Sequence, residues 1–186
     1  MKRMIAVFLV SIFLSGCGHS SVELDNALAL RNKIISAKKC SFNAIITAEY
    51  DDTINSFELK CEAADNDILC FEVVAPDTIA GITGMVSQSN GNLTFDDEIL
   101  AFELIVDGRL SPVSAPWLLL RMLKSGYIVA CGSEGDGSHI QIEDTYSGEK
   151  ILIDLYTDQS NLPIRADLIW NGKRTLSIVI HSFSVM

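Results

Sequence analysis

Ser111-Pro112-Val113-Ser114-Ala115-Pro116-Trp117-Leu118-Leu119-Leu120-Arg121-Met122-Leu123-Lys124-Ser125-Gly126 is the stretch whose reading decides the fold. After the N-terminal leader it is the only strongly apolar helical segment in the chain. Ser114 fits an N-cap, Pro116 suits a first turn that needs few backbone donors, and Gly126 fits a left-handed stop. With about 100° per residue, Leu118, Met122, Leu119, Leu123 and Leu120 cover more than half the circumference. Trp117, Arg121 and Lys124 share the remaining side. Burying those five aliphatic side chains contributes roughly 7–15 kcal/mol as an upper bound. The net stability of a whole domain is about 5–15 kcal/mol. Such a helix must be covered nearly all round, and the flanking sequence supplies strands to do it.

Working outward, the hydrophobic period on both sides of the helix is two. Phe42, Ala44, Ile46, Ala48 and Tyr50 alternate with polar or smaller residues, the mark of a half-buried strand. Apolar runs at 57–62, 68–75, 85–88, 93–95 and 99–106 follow, punctuated by Asp51-Asp52, Asp65-Asn66, Pro76, Gly81, Gly84, Asn90-Gly91 and Asp107-Gly108. Beyond the helix come runs at 127–131, 139–143, 151–157, 163–170 and 175–185, separated by Gly135-Asp136-Gly137, Ser147-Gly148 and Asn171-Gly172. Asn-Gly and Asp-Gly pairs are the strongest short hairpin signals. Connections this short force neighbouring strands to pair antiparallel. Ser20-Ser21-Val22-Glu23 has capping-box form and opens a helix to about Lys38, with Leu24, Ala27, Leu28, Ile34 and Ile35 as its apolar stripe. The reading is an α+β fold: a curved antiparallel half-barrel of about ten strands wrapped around the inserted helix, plus an N-terminal helix. A sheet of this size curls, and an apolar helix against one face makes that face concave.

The 186 residues carry a formal net charge of −10 and are 48 % apolar, which suits one domain with a real core. Residues 1–16 stand apart from it. Lys2 and Arg3 form a positive n-region, Met4 to Phe13 an apolar h-region, and Leu14-Ser15-Gly16-Cys17 follows at once. This run resembles the bacterial lipobox. The resemblance implies a diacylglyceryl group on Cys17, a mature chain beginning there, a lipidated tether over 17–21, a domain over 22–186, and anchoring on the outer face of the cell membrane. Two acyl chains anchor stably where one does not. An acidic chain with no basic patch is not built to neutralise phosphates, which excludes nucleic acid as a partner.

The order of elements resembles the lipoprotein-carrier fold, the LolA/LolB-like superfamily, in its uncharacterised Gram-positive relatives. The features that carry the resemblance are the lipobox, the N-terminal helix, and Phe71-Glu72-Val73-Val74-Ala75-Pro76 followed by Gly81 to Gly84. Ser111-Pro112 before the helix, Leu155, Pro163 and Phe183 match as well. The resemblance implies an apolar concavity that holds an acyl chain, lipid or lipoprotein segment, lined by Ile46, Phe57, Leu59, Phe95, Leu118, Leu119, Met122 and Leu123, with Trp117 and Arg121 at its mouth. The carriers use an Arg to help hold the cavity closed, and by spacing Arg109, Arg121 and Arg165 all qualify. Some relatives serve in spore germination, so the alternative is a ligand-free module that docks another envelope or germination protein through its sheet.

Catalytic patterns are missing from the sequence. His19, His139 and His181 have no partner at metal-ligand spacing, and no P-loop, Gly-x-Ser-x-Gly, His-Glu-x-x-His or dinucleotide fingerprint occurs. The reading is therefore a non-enzyme with no cofactor and no metal. Asp51-Asp52 and Asp96-Asp97-Glu98 sit in turn contexts that favour acidic residues for local backbone reasons. Four cysteines remain besides Cys17. A two-residue turn at Asp65-Asn66 sets Cys61 opposite Cys70, in reach of a disulfide, but turns Glu72 inward. A slip of one residue puts Leu69, Phe71 and Val73 inside and separates the two thiols.

Cys17→Ser tests the leader. The variant is expected to leave the membrane pellet for the soluble fraction, and retention in the pellet overturns the lipobox assignment.

Overall fold

The structure, a computed structural model, describes residues 20–50, 53–64, 67–88, 91–95, 98–106, 109–146 and 148–186. Cys17, His19, Asp51-Asp52, Asp65-Asn66, Asn90, Asp96-Asp97 and the side chain of Phe95 lie outside the described residues. Helix α1 is Ser20–Ile35, followed by strands β1 (Lys39–Tyr50), β2 (Thr53–Ala64) and β3 (Leu69–Ala75). Next come β4 (Thr83–Val86), β5 (Gly91–Phe95) and β6 (Glu98–Phe102), then the short pair β7 (Ile105–Val106) and β8 (Arg109–Leu110). A 3-10 turn at Pro112–Ser114 leads into helix α2 (Ala115–Ser125). Strands β9 (Tyr127–Glu134), β10 (Gly137–Tyr146), β11 (Glu149–Thr157), β12 (Pro163–Trp170) and β13 (Lys173–Val185) complete the chain.

Eleven strands form one antiparallel sheet in the order β6-β5-β4-β3-β2-β1-β13-β12-β11-β10-β9, and β7 and β8 pair separately. The two halves of the chain are each a meander, joined at the middle by β1 on β13, where Ile46 faces Ile178 and Ala44 faces Ile180. The ends of the order are β6 and β9, so the chain passes from one edge of the sheet to the other through residues 103–126. Ten strand spacings of about 4.8 Å would put those edges roughly 48 Å apart in a flat sheet. The crossover lies over the concave face, where α2 meets β10, β13 and α1. The sheet is not closed.

Alternation places the core. In β1, Cys40, Phe42, Ala44, Ile46 and Ala48 point inward and are buried, as their spacing predicts. Against them lie Leu118, Leu119 and Met122, each 0 % exposed, with Leu120 and Leu123 at 4 % and 3 %. Small residues at Ala44, Ala48 and Ala63 leave room for the bulky helix side chains, the alternation that close packing requires. The outer face carries a polar row in register: Ser56, Thr47, Ser177, Asp167, Asp154 and Gln141. Gln141 donates to Asp154 at 2.9 Å and Ser177 to Asp167 at 2.7 Å. One face dry and one wet is the usual state of an antiparallel sheet.

Three sequence expectations change in detail. Gly126 has φ −68° and ψ 160°, an extended backbone with no left-handed stop. Its lack of a side chain serves proximity: a Cβ there would stand 2.5 Å from the Ile142 Cγ2 atom and 2.8 Å from the Met122 carbonyl oxygen. Ser114 is already in helical conformation, and its hydroxyl donates back to the Ser111 carbonyl at 2.6 Å instead of capping α2. Helix α1 stops at Ile35 and buries Ala27, Leu30 and Ile34, while Leu24, Leu28 and Ile35 are exposed. The helix has been rotated by contacts with α2 and β9 that its own sequence cannot express.

For Cys61 and Cys70 the sequence left two registers open. The register is the slipped one: Cys61 faces Phe71 and Glu62 faces Cys70, so Leu69, Phe71 and Val73 point inward. Cys61 is buried, Cys70 is exposed on the opposite face, and both thiols are free. Of the two registers left open, the structure has the one that separates the thiols and buries three large side chains, worth roughly 1.5–3 kcal/mol each when fully buried. At Asn171-Gly172 both residues have positive φ, 51° and 75°, the type I′ geometry that the Asn-Gly pair signals.

Burial pushes the Cys40 thiol up to about 11 and Cys61 further. Native alkylation is expected to modify Cys70 first and to reach Cys40 and Cys61 only on unfolding, with four free thiols in the non-reduced mass spectrum. Leu119→Ala should lower unfolding free energy by about 2–5 kcal/mol in urea titration, whereas exposed Ile99→Ala should change it by about 0.5 kcal/mol or less.

Candidate functional site

Of the expected cavity residues, Phe95 has its side chain outside the described residues, and none of the others lines the rim pocket between α2 and the β2–β3 turn. Ile46 and Leu59 from the sheet and Leu118, Leu119, Met122 and Leu123 from α2 belong to one packed core, and Phe57 lies half-buried against it. The concavity is filled by the helix that crosses it. Five large side chains of α2 belong to one core with an inner sheet face that mixes small residues, Ala44 and Ala48, with large ones such as Ile46, Leu59 and Ile178.

A pocket of about 260 Å³ opens at the rim of this core, between α2 and the turn joining β2 to β3. Its apolar lining comes from Ala63, Leu69 and Leu120, with Ile68 at the edge; Trp117, Arg121 and Lys124 face it from α2. Spacing on the helix explains the grouping, since residues 117, 121 and 124 follow one another on one face. Asp67, at φ +54°, turns the chain here. Its carbonyl accepts a 2.8 Å hydrogen bond from Trp117 Nε1, and its Oδ1 accepts one from Lys124 Nζ at 2.6 Å. One wing of the sheet is thereby tied to the helix by two bonds at a single residue. Across the same rim, the Tyr146 hydroxyl on β10 donates to the Gln88 carbonyl at 3.2 Å and ties the two wings together.

Arg121 is held between rings. Its guanidinium carbon is 5.8 Å from the Trp117 centroid and 5.2 Å from that of Tyr146, and the two rings meet edge-on at 6.1 Å. Nη2 reaches Asp144 at 3.1 Å, while Nη1 is buried with no hydrogen-bond acceptor among the described residues. Burial raises the Tyr146 hydroxyl above its ordinary value, so it is a neutral donor at physiological pH.

Of the three arginines that spacing left open, Arg121 lines this pocket, Arg109 lies over the Tyr50 ring, and Arg165 lies on the outer face beside Asp167 and Tyr156. The arginine that grips α2 is a fourth one. Arg31, on α1, donates through Nε to the Leu123 carbonyl at 2.8 Å and through Nη2 to the Gly126 carbonyl at 2.6 Å. These are end-of-helix carbonyls with no partner in the helix itself, and a cation there is favoured by the helix dipole. Partial burial lowers the Arg31 pKa without removing its charge. The sequence carried no signal for Arg31, because the contact joins residues more than ninety positions apart. Asp67, Gln88 and Tyr146 were likewise invisible, being placed by the sheet register.

Among the described residues no group of three or more His, Cys, Asp or Glu is arranged to hold a metal ion, and no helix is long and apolar enough to cross a membrane. His139 stacks on Tyr156 and contacts Asp154 on the outer face, away from the pocket.

No family model and no curated protein matches the sequence. Solved structures do match the fold. A DUF1329 family protein from Desulfovibrio piger is similar over 89 % of this chain and 92 % of its own, with a TM-score of 0.50 and 9 % identity. A LolA superfamily protein from Nitrosomonas europaea is similar over 86 % and 93 %, with a TM-score of 0.47 and 11 % identity. The Mycobacterium tuberculosis lipoprotein LppX is similar over 87 % and 93 %, with a TM-score of 0.39 and 12 % identity. At these identities the likeness is one of fold: an open antiparallel sheet curved over helices.

Arg31→Ala removes two charge-assisted hydrogen bonds, each of a kind worth roughly 1.5–3 kcal/mol. Because Arg31 is only partly buried, the expected loss is about 1–3 kcal/mol of unfolding free energy. Faster amide exchange should be confined to the last turn of α2, and an exchange pattern unchanged there overturns the gripping role.

Proposed function

We propose that this protein is a lipid-anchored extracytoplasmic binding protein that takes an acyl chain, or a lipid or lipoprotein segment bearing one, between helix α2 and the curved sheet. The observation that carries the reading is the rim pocket, which opens directly onto the α2–sheet core with Ala63, Leu69 and Leu120 as its apolar lining. At about 260 Å³ it falls just below the roughly 300–1,000 Å³ of typical small-molecule sites. It therefore admits the end of one chain, and a longer ligand enters only as α2 moves off the sheet. Each methylene that replaces a helix–sheet contact returns roughly 0.8 kcal/mol of apolar burial. The chemistry is non-covalent. The bonds from Trp117 and Lys124 to Asp67, from Tyr146 to Gln88 and from Arg31 to the end of α2 are those that opening would loosen. Anchoring follows from the leader: 1–16 as signal, 17–21 as tether with acyl chains on Cys17, and 22–186 as the binding domain.

A second reading is favoured by one observation, the sheet edge at β6. Ile99 and Leu100 are 70 % and 58 % exposed there, on a strand paired on one side only. Such an edge is a template for strand addition, and a module that docks another envelope protein would use it.

Native mass spectrometry after gentle purification separates the two. A co-purified acyl-bearing species is the expected result. A chain that is empty as purified and stays empty when incubated with lipid overturns the binding reading and leaves the edge-docking one.

A further inference from the structure

We infer that the rim pocket is selective for the head of its ligand, and that the ligand is a single-chain amphiphile with an anionic head, a carboxylate or phosphate received by Lys124. The inference rests on the acyl-binding reading above and adds the headgroup to it. The pocket wall holds two cations, each already paired: Arg121 with the largely buried Asp144, and Lys124 with Asp67. Lys124 is the one whose partner is open to solvent, and an ammonium that can change partners above an apolar floor suits a negative head on an apolar tail.

The state of each group makes the exchange easy. Lys124 is paired with Asp67 at 2.6 Å, but the Asp67 side chain is 72 % exposed, and ion pairs this open contribute little. An anion entering with its tail against Leu69 and Leu120 can take the ammonium from Asp67 with little loss. The carbonyl of Asp67 keeps its bond from Trp117 whether or not the side chain is displaced. The volume sets the count: about 260 Å³ takes one chain end, and a three-chain lipid does not fit without wide opening.

The test uses the full chain with Cys17→Ser, which carries no acyl anchor of its own to compete. It is titrated calorimetrically with dodecanoate, dodecanol and dodecyltrimethylammonium below their micelle-forming concentrations. Dodecanoate should bind about tenfold or more tighter than the other two, as a charge-assisted bond implies. Lys124→Gln should remove that preference, bringing dodecanoate level with dodecanol. Asp67→Asn, which frees Lys124, should tighten dodecanoate several-fold. Equal binding of all three ligands, unaffected by Lys124→Gln, overturns the headgroup inference while the acyl-chain reading stands. No binding of any of them overturns both. Displacement of dodecanoate by millimolar inorganic phosphate identifies a free-anion site and overturns the amphiphile. Thermal melts of each variant confirm folding, which the partly exposed positions of Lys124 and Asp67 favour.

Discussion

The packing of α2 against the concave face of the sheet is the contact on which the rest depends. Leu118, Leu119 and Met122 have no access to solvent, and the residues they meet come from both halves of the chain. The two meanders share one strand pairing, β1 on β13, and would otherwise be independent wings. The crossover that carries α2 runs from the edge of one wing to the edge of the other, so the helix holds the curvature as well as filling it. Taking the helix away would expose a face of Ala, Ile and Leu and leave the wings joined by a single hinge of strands.

That arrangement explains why the polar contacts gather at the rim. The face of α2 turned to the sheet is apolar, so the side-chain bonds that fix the helix are at its ends and on its outer side. Arg31 takes its last carbonyls, and Asp67 takes Trp117 and Lys124. These bonds are few and partly exposed, whereas the apolar contact beneath is extensive. A fold built this way is firm in its core and lightly fastened at its margin. The margin is where an apolar ligand could enter without first breaking the core.

Much of the architecture was legible from residue patterns. The alternation of Phe42, Ala44, Ile46 and Ala48, the Asn171-Gly172 turn and the five aliphatic residues of 118–123 each specify local structure strongly. The pocket was legible only in part. Trp117 and Arg121, expected at the mouth of a concavity, line the rim pocket, but Asp67, Gln88, Tyr146 and Arg31 arrive from distant parts of the chain. The cysteines show the same boundary. Two registers were open for β2 and β3, and inward burial of Leu69, Phe71 and Val73 decided between them, because a one-residue slip moves every side chain to the other face.

By itself the sequence determined the class of fold, the strand directions and the helix that plugs the sheet. All of these follow from period, turn chemistry and composition, which are properties of neighbouring residues. Only the tertiary structure decided that the concavity is filled, that α1 turns its Ala27–Leu30–Ile34 face inward, and that a pocket walled by ion-paired Arg121 and Lys124 sits at the rim. Those outcomes depend on which side chains meet across the curved sheet, and the physical reason is register and close packing, which no local pattern encodes.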